Sequence, residues 1–501
     1  MNTSYLELLK LASPEAVLVV TVLAVLGIGL ARPQASGLCC FAALAGLTGA
    51  AIAIFLLPNN AVLFGGMLVI DPLNSFFKII CLGLAALTVF LSQQERPGSS
   101  PKTHPGEYIA MLLLATLGLL LLVGSEELLM IFIGLELTGL SLYVLTAFDR
   151  TDVRSAEAGL KYFLFGSTAS AFTLFGLSLV YGMSGSTGLG AISDSFNGPL
   201  LASQPLLAVG VIMTLIGLGF KIAAAPFHLW APDVYQAAPV SAAALTASAS
   251  KVASFVVLGK ILLLGFGPIT GTAAWQAMLP GWAPVLAAIC ALSILIGNFV
   301  ALVQVNVCRL LAYSAVAHAG YALLGLVAGT PEGFAATLFY ATIYAITLVG
   351  AFAVVGWVRR ETGGDNIANF RALARKSPLL ASYLAVFLLS LAGLPPLAGF
   401  FGKFYLFSAA LYAGQNNGLL WLVVVALLGS FVSLYYYLMV LKAVFVDQPV
   451  AVPSSEVVIP SDEIADTHAG ERLIIGVLAA AVLFLGVMPE TLLARIATAL
   501  P

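Results

Sequence analysis

Apolar runs about as long as a membrane-crossing helix follow one another along the whole chain, with only short polar interruptions between them. A run of ~18 or more apolar residues is long enough to span the hydrocarbon core of a bilayer as a helix. The pattern predicts fourteen spans, near 14–31, 37–57, 72–92, 107–123, 126–147, 155–183, 205–236, 239–265, 282–302, 307–328, 334–358, 377–413, 418–446 and 471–489. Two of these are interrupted. In "GFKIAAAPFHLWAPDVYQAAP" (219–239), Pro226 and Pro232 cannot donate backbone hydrogen bonds and clash with the preceding turn, so the helix opens near 224–232. Pro395 and Pro396, flanked by Gly393 and Gly399, do the same in the twelfth span.

Composition agrees with this reading. Of 501 residues, 61% are hydrophobic and 9% are charged, far below the quarter usual for soluble domains. The fold class is therefore an all-α polytopic membrane protein with a single transmembrane domain over 1–501. A net charge of −2 gives no reason to expect a nucleic-acid partner. The five cysteines include no C-x-x-C pair, and the first residues predict a short tail before the first helix, not a cleaved signal. The longest polar loop, 447–470, is acidic and proline-rich and reads as an extended surface connection.

Arginine and lysine in the loops fall only after odd-numbered spans, at Arg32, Arg96, Lys102, Arg150, Arg154, Arg309, Arg359, Arg360, Arg371, Arg375 and Lys376. The positive-inside rule puts those loops in the cytoplasm and both termini in the periplasm.

Apart from Lys442 in the last turn of the thirteenth span, six lysines remain within the spans, together with Glu136 and His318, and ionisable groups at that depth are candidate functional residues. Lys78 and Lys260 read as anchors, Lys78 pairing locally and Lys260 snorkelling to the outer interface. Glu136, Lys221, Lys251 and Lys403 lie deeper, with Lys161 nearer the cytoplasmic end of its span. His318 reads equally as a satisfied core group.

Glu136 and Lys221 stand 85 residues apart, as do His318 and Lys403. Spans 1–3 (14–106) then precede two inverted five-helix units, spans 4–8 (107–265) and 9–13 (282–446), each with a broken helix, and a last span over 471–501. A row Glu136–Lys221–Lys251–His318–Lys403, joined by water, is what a proton relay along the midplane requires. No dinucleotide fingerprint or iron–sulfur cysteine set occurs. A haem held by His228 and His318 would leave the lysine row without a cause. The expectation is no cofactor in this chain.

At these residues the sequence resembles the antiporter-like membrane-arm subunits of respiratory complex I (NADH:quinone oxidoreductase), relatives of multisubunit Na+/H+ antiporters. The resemblance is carried by "ELTGLSLYVL", "EAGLKYFLFGS", "KIAAAPFHLWAPDVYQAAPV", "YSAVAHAGYALLG" and "LAGLPPLAGFFGKFYL", in order over 127–407. It is nearest the N-type (two-type) branch: Val234-Tyr235 follow "PD" where the M- and L-types usually have alanine, and Lys403 stands where the M-type has glutamate. "AAP" at 237–239 departs from an expected "GAP".

The resemblance implies roles. Glu136 and Lys221 would be the charge pair of one half-channel, Lys251 the central lysine and Lys403 the end of the second half-channel, with Lys161 tuning the lateral connection and His318 bridging. It implies a bacterial inner-membrane protein whose partners are other membrane-arm and peripheral-arm subunits and the lipid bilayer, with redox chemistry elsewhere. The rival readings are a subunit of a cation/proton antiporter complex and a non-transporting scaffold.

Overall fold

The computed structural model describes residues 5–95, 99–196, 204–413, 418–448 and 464–500. Most of it is helix, and each of the fourteen predicted segments contains one. Among the described residues, twelve of these segments are helical runs long and apolar enough to cross a membrane; the other two are the proline-interrupted ones.

The first six long helices are α1 (Ser13–Ala31), α2 (Ser36–Phe55), α3 (Pro72–Ser92), α4 (Pro105–Val123), α5 (Leu128–Thr146) and α6 (Val153–Ser184). Between α2 and α3 a hairpin pairs β1 (Ala61–Leu63) with β2 (Leu68–Ile70) in antiparallel register, Val62 opposite Val69. The seventh segment divides into α7 (Pro205–Lys221) and α8 (Ala231–Ala237), as the prolines require. Protein groups satisfy the backbone freed by that break. The Trp230 indole donates to the Phe220 carbonyl at 3.1 Å, and the Ala225 N–H donates to Ser293 Oγ at 2.8 Å.

The eighth segment was expected to be continuous. It is α9 (Val240–Ala247) and α10 (Ala249–Lys260), broken at Ser248, whose backbone leaves the helical region at φ −113°, ψ −89°. A serine can stand at such a break because its hydroxyl takes up a local carbonyl, here that of Ala244 at 2.5 Å.

The second half comprises α11 (Trp282–Ala301), α12 (Val307–Val327), α13 (Pro331–Thr362), α14 (Pro378–Ala392), α15 (Ala398–Tyr412) and α16 (Leu420–Phe445). The break between α14 and α15 turns on Gly393 at φ +87°, a conformation that glycine adopts without steric cost. The last long helix, α17, runs Ile464–Val487, so its first turns occupy the end of the segment read as loop. Residues 449–463 of that loop lie outside the described residues.

Segments after odd-numbered spans gather at one end of the bundle. Arg360 donates to the Gln94 carbonyl, Asn306 to Asp365, Arg309 to Asp233, and Ser241 to Glu95. Those after even-numbered spans gather at the other, where Glu126 N–H meets Gly66 O and Leu128 N–H meets Thr187 O. The two groups are called below the arginine-rich and arginine-poor ends. The core lies around α10, α12 and α13, which are buried over almost their whole length. Helices α1, α2, α6 and α16 carry exposed large apolar residues, as helices facing lipid or other subunits do.

Candidate functional site

Lys251, His318 and Lys403 come together in that core. Lys251, in the first turn of α10, donates to the Ala315 carbonyl of α12 at 2.9 Å, and its Nζ lies 5.3 Å from the centroid of the Tyr344 ring. His318 of α12 has both ring nitrogens engaged: Nδ1 is 2.6 Å from the Tyr340 hydroxyl and Nε2 3.1 Å from that of Tyr437. A neutral imidazole offers one donor and one acceptor, so this pair of hydroxyls matches it, and the two tautomers interchange by shifting protons along the string. The Tyr344 and Tyr321 rings pack on His318 at 5.0 and 5.7 Å.

Lys403 lies one turn into α15. Its Nζ donates to the Ala392 carbonyl at 3.0 Å and to Ser430 Oγ at 2.9 Å, and sits 4.9 Å from the Tyr321 ring centroid. Ala392 is the last residue of α14, so the ammonium rests on the negative end of the broken helix, an interaction worth ~1 kcal/mol or more when partly buried.

Tyr344 therefore links Lys251 to the histidine and Tyr321 links Lys403 to it, while Tyr340 and Tyr437 engage its ring nitrogens. Further hydrogen bonds hold them in turn. Ser314 is 2.6 Å from Tyr437 Oη, Asn298 donates to Tyr321 at 3.0 Å, and Tyr436 donates to Asn298 at 3.1 Å. These tyrosines were not singled out from sequence. A usable signal was present: Tyr340 and Tyr344 are four apart on one helix and so share a face.

Lys221 and Glu136 form a second, neighbouring group. Lys221 ends α7 and is buried, with its Nζ beside Gly139, one turn along α5 from Glu136. Among the described residues no N–O contact within 4 Å joins the two side chains. Both line a small cavity of ≈ 20 Å³, enough for a water, together with Tyr143 and Ser170. Glu136 instead accepts a hydrogen bond from Ser170. The carboxylate keeps a neutral partner, and its attraction for the lysine acts across the cavity. Among the described residues no hydrogen bond or ion pair runs from Lys221 to Lys251.

Lys161 belongs to neither. It lies toward the arginine-rich end, partly exposed, paired with Glu157 at 2.6 Å and Asp233 at 2.9 Å. Asp233, in α8, also binds Arg309 of α12 at 2.7 Å. Sequence reading counted Arg309 as a loop charge and passed over Asp233, although it stands inside the most distinctive stretch of the chain. Asp233 ties the broken helix to both halves of the bundle.

The two lysines read as anchors are both buried and paired. Lys78 meets Glu15 of α1 at 2.6 Å. Lys260 does not reach for the surface. It donates to Asn74 and to the Val123 carbonyl at 3.1 Å, with Glu126 at 3.4 Å. Val123 ends α4, and its free carbonyl with the Asn74 amide supplies partners within the bundle, which removes the need to snorkel. Among the described residues no three His, Cys, Asp or Glu side chains cluster as metal ligands.

A family model described as NADH:quinone oxidoreductase/Mrp antiporter, transmembrane, matches residues 125–431. The sequence is 47% identical to NADH-quinone oxidoreductase subunit N 2 of Acidobacterium capsulatum, over 98% of each chain. It is 40% identical to NADH-quinone oxidoreductase subunit N of Desulfovibrio desulfuricans, over 89% of this chain and 88% of that one. Among solved structures, a chain of respiratory complex I from Thermus thermophilus is 34% identical and superposes with a TM-score of 0.77, covering 97% of this chain and all of that one. A chain of the Mrp complex from Dietzia sp., 22% identical, shares the fold at a TM-score of 0.80 over 98% of this chain and 97% of that one.

Proposed function

The chain belongs to the NADH:quinone oxidoreductase/Mrp antiporter membrane family, and from that premise we propose that it is the N-type membrane-arm subunit of an NADH:quinone oxidoreductase and moves protons through its own buried side chains. It serves as a non-redox part of that enzyme, in a bacterial inner membrane, beside other membrane-arm and peripheral-arm subunits. The observation that carries the reading is the buried string Lys251–Tyr344–His318–Tyr321–Lys403, with Tyr340 and Tyr437 on the His318 ring nitrogens, which leads to the α14–α15 break.

In this reading Lys221, beside the α7–α8 break, holds and releases a proton under the field of Glu136. Release at Lys221 lets Lys251 take up a proton, His318 passes it by changing tautomer between two hydroxyls, and Lys403 delivers it at the second break. Lys161, through Asp233, couples the position of α8 to Arg309. Two inverted units, spans 4–8 and 9–13, account for the matching breaks, and for the packing of α4 along α5 and of α11 along α12.

Lys403 gives the direct test. Lys403→Glu keeps an exchangeable proton at the same depth, and Lys403→Ala removes it. The Ala variant is expected to pump about tenfold or more below the Glu variant in reconstituted vesicles driven by NADH. Equal loss in both would mean that the positive charge on the α14 terminus is the requirement, which argues against a relay.

The antiporter reading keeps the relay but has no redox partner. Copurification with an NADH-oxidising assembly separates the two. Orientation has its own test: the arginine-rich end faces the cytoplasm under the positive-inside rule. A cysteine at exposed Thr362, at that end, should stay unlabelled by impermeant reagents added to intact cells. Strong labelling would reverse the topology.

A further inference from the structure

At the arginine-rich end a cavity of ≈ 60 Å³, roomy enough for several waters, opens among Glu95, Asp149, Asp152, Arg359 and Arg360. Glu95 is held by Ser241: its Oε1 accepts from the Ser241 N–H at 3.0 Å and from Oγ at 2.8 Å, and that Oγ is 2.7 Å from the buried Tyr108 hydroxyl. The link between α8 and α9, Ala237 to Val240, forms one wall, and Gly356 of α13 forms another.

Below that wall the structure places two hydroxyls. Tyr235 stands two residues before Ala237, edge-on to Phe352 at 5.5 Å, and Phe352 is one turn below Gly356. Tyr344 lies two further turns along α13, against Lys251 and His318. Tyr235 and Tyr344 are 1% and 5% exposed, and neither hydroxyl has a hydrogen-bond partner among the described residues. Buried hydroxyls are ordinarily partnered, and phenylalanine would pack in both places as well. From Gly356 to Tyr344 the descent is about 18 Å at ~1.5 Å per residue, from the cavity to the relay.

We propose that this cavity, with Glu95 at its floor and the Tyr235 and Tyr344 hydroxyls beneath it, is the route by which protons from the arginine-rich side reach Lys251. The proposal rests on the relay reading above. A proton arriving in the cavity converts the Glu95 carboxylate to the acid. It leaves along water, and each tyrosine oxygen accepts one proton as it gives up its own. The neutral amine of Lys251 becomes ammonium, and no tyrosine is left with a net charge. Burial pushes the Glu95 carboxyl above the usual carboxylate range, against the pull of its Ser241 hydrogen bonds and of Arg359 and Arg360, which suits a group that must hold a proton in passing.

The competing role for Glu95 is to cap α9. Glu95→Gln keeps an acceptor for both Ser241 donors but carries no proton. The experiment places Glu95→Gln, Tyr235→Phe, Tyr344→Phe and Lys251→Met in the whole complex and measures NADH-driven proton translocation in vesicles, with subunit content checked on gels. The first three are expected to assemble and to lose about tenfold in translocation rate. Formic acid added on the arginine-rich side should restore much of the rate to Glu95→Gln, which a lost cap would not allow. Wild-type pumping by both phenylalanine variants, with Lys251→Met inactive, overturns the route and leaves the relay standing. Normal pumping by Lys251→Met overturns the relay and the route with it. If Glu95→Gln does not assemble, the phenylalanine variants decide the question by the same criteria.

Discussion

Lys221→Arg is expected to give an assembled complex that no longer translocates protons. Arginine keeps the positive charge, nearly the reach, and the attraction of Glu136 across the shared cavity. It also keeps a cation on the C-terminal residue of α7, where the helix dipole favours one. What it removes is deprotonation, since a guanidinium does not give up its proton in a protein. A structural lysine would be nearly rescued by this change; a lysine that must release a proton would not. Loss of an acid–base group costs ~100-fold or more, so translocation should fall to background with Lys221→Arg and Lys221→Ala alike. Quinone reduction should fall with it if electron transfer and pumping are tightly coupled. The check is acridine-dye quenching in inverted vesicles, with NADH oxidation followed in parallel. Normal quenching by the arginine variant would remove Lys221 from the relay.

Gly399→Ala should prevent assembly. A Cβ there would lie 1.9 Å from the Ser390 carbonyl oxygen, which is backbone and cannot rotate away. Gly399 stands at the start of α15, and its N–H meets Ser390 Oγ at 3.2 Å, so the two halves of the broken helix touch at this residue. To admit the methyl group, α15 must move off α14, carrying Lys403, four residues after Gly399 in α15, away from the Ala392 carbonyl. Overpacking of this kind costs ~1–3 kcal/mol where side chains can yield, and more against backbone. Subunit yield in the purified complex is the measurement. Gly27→Ala is the control, because nothing lies within 4 Å of its Cβ, and it should behave as wild type. Normal yield from Gly399→Ala would mean that the junction of α14 and α15 is softer than its geometry implies.

The sequence made the helices legible because each is an apolar run of membrane length, and it made two of the three internal breaks legible because proline announces itself. The break at Ser248 carries no proline. Serine in a helical run has no unique meaning until tertiary contacts decide whether its hydroxyl turns back on the helix. Charged residues were visible for the same reason as the spans: a lysine among leucines needs a cause. Their partners were not. Glu15 and Lys78 are 63 residues apart, and nothing local joins them. The four tyrosines around His318 were hidden because an aromatic in an apolar run reads as core, and only packing shows which of them lend a hydroxyl. The Glu136–Lys221 pair shows the opposite case. Spacing brought the two onto one cavity but left the presence of a direct bond to side-chain geometry.

The Lys78–Glu15 contact bears on how such a chain can be shortened. Glu15 enters the membrane in the first helix and Lys78 in the third, and in the finished bundle both are buried. A truncated gene lacking only the first helix would still insert Lys78, now without its counter-charge, at a cost of ~3–5 kcal/mol. Removing α1 to α3 together discards both charges at once. Lys260 would then lose Asn74 but keep the end of α4 and Glu126. The ion pair of the leading three helices thus closes within them, so deletions there cost less as a set than one at a time.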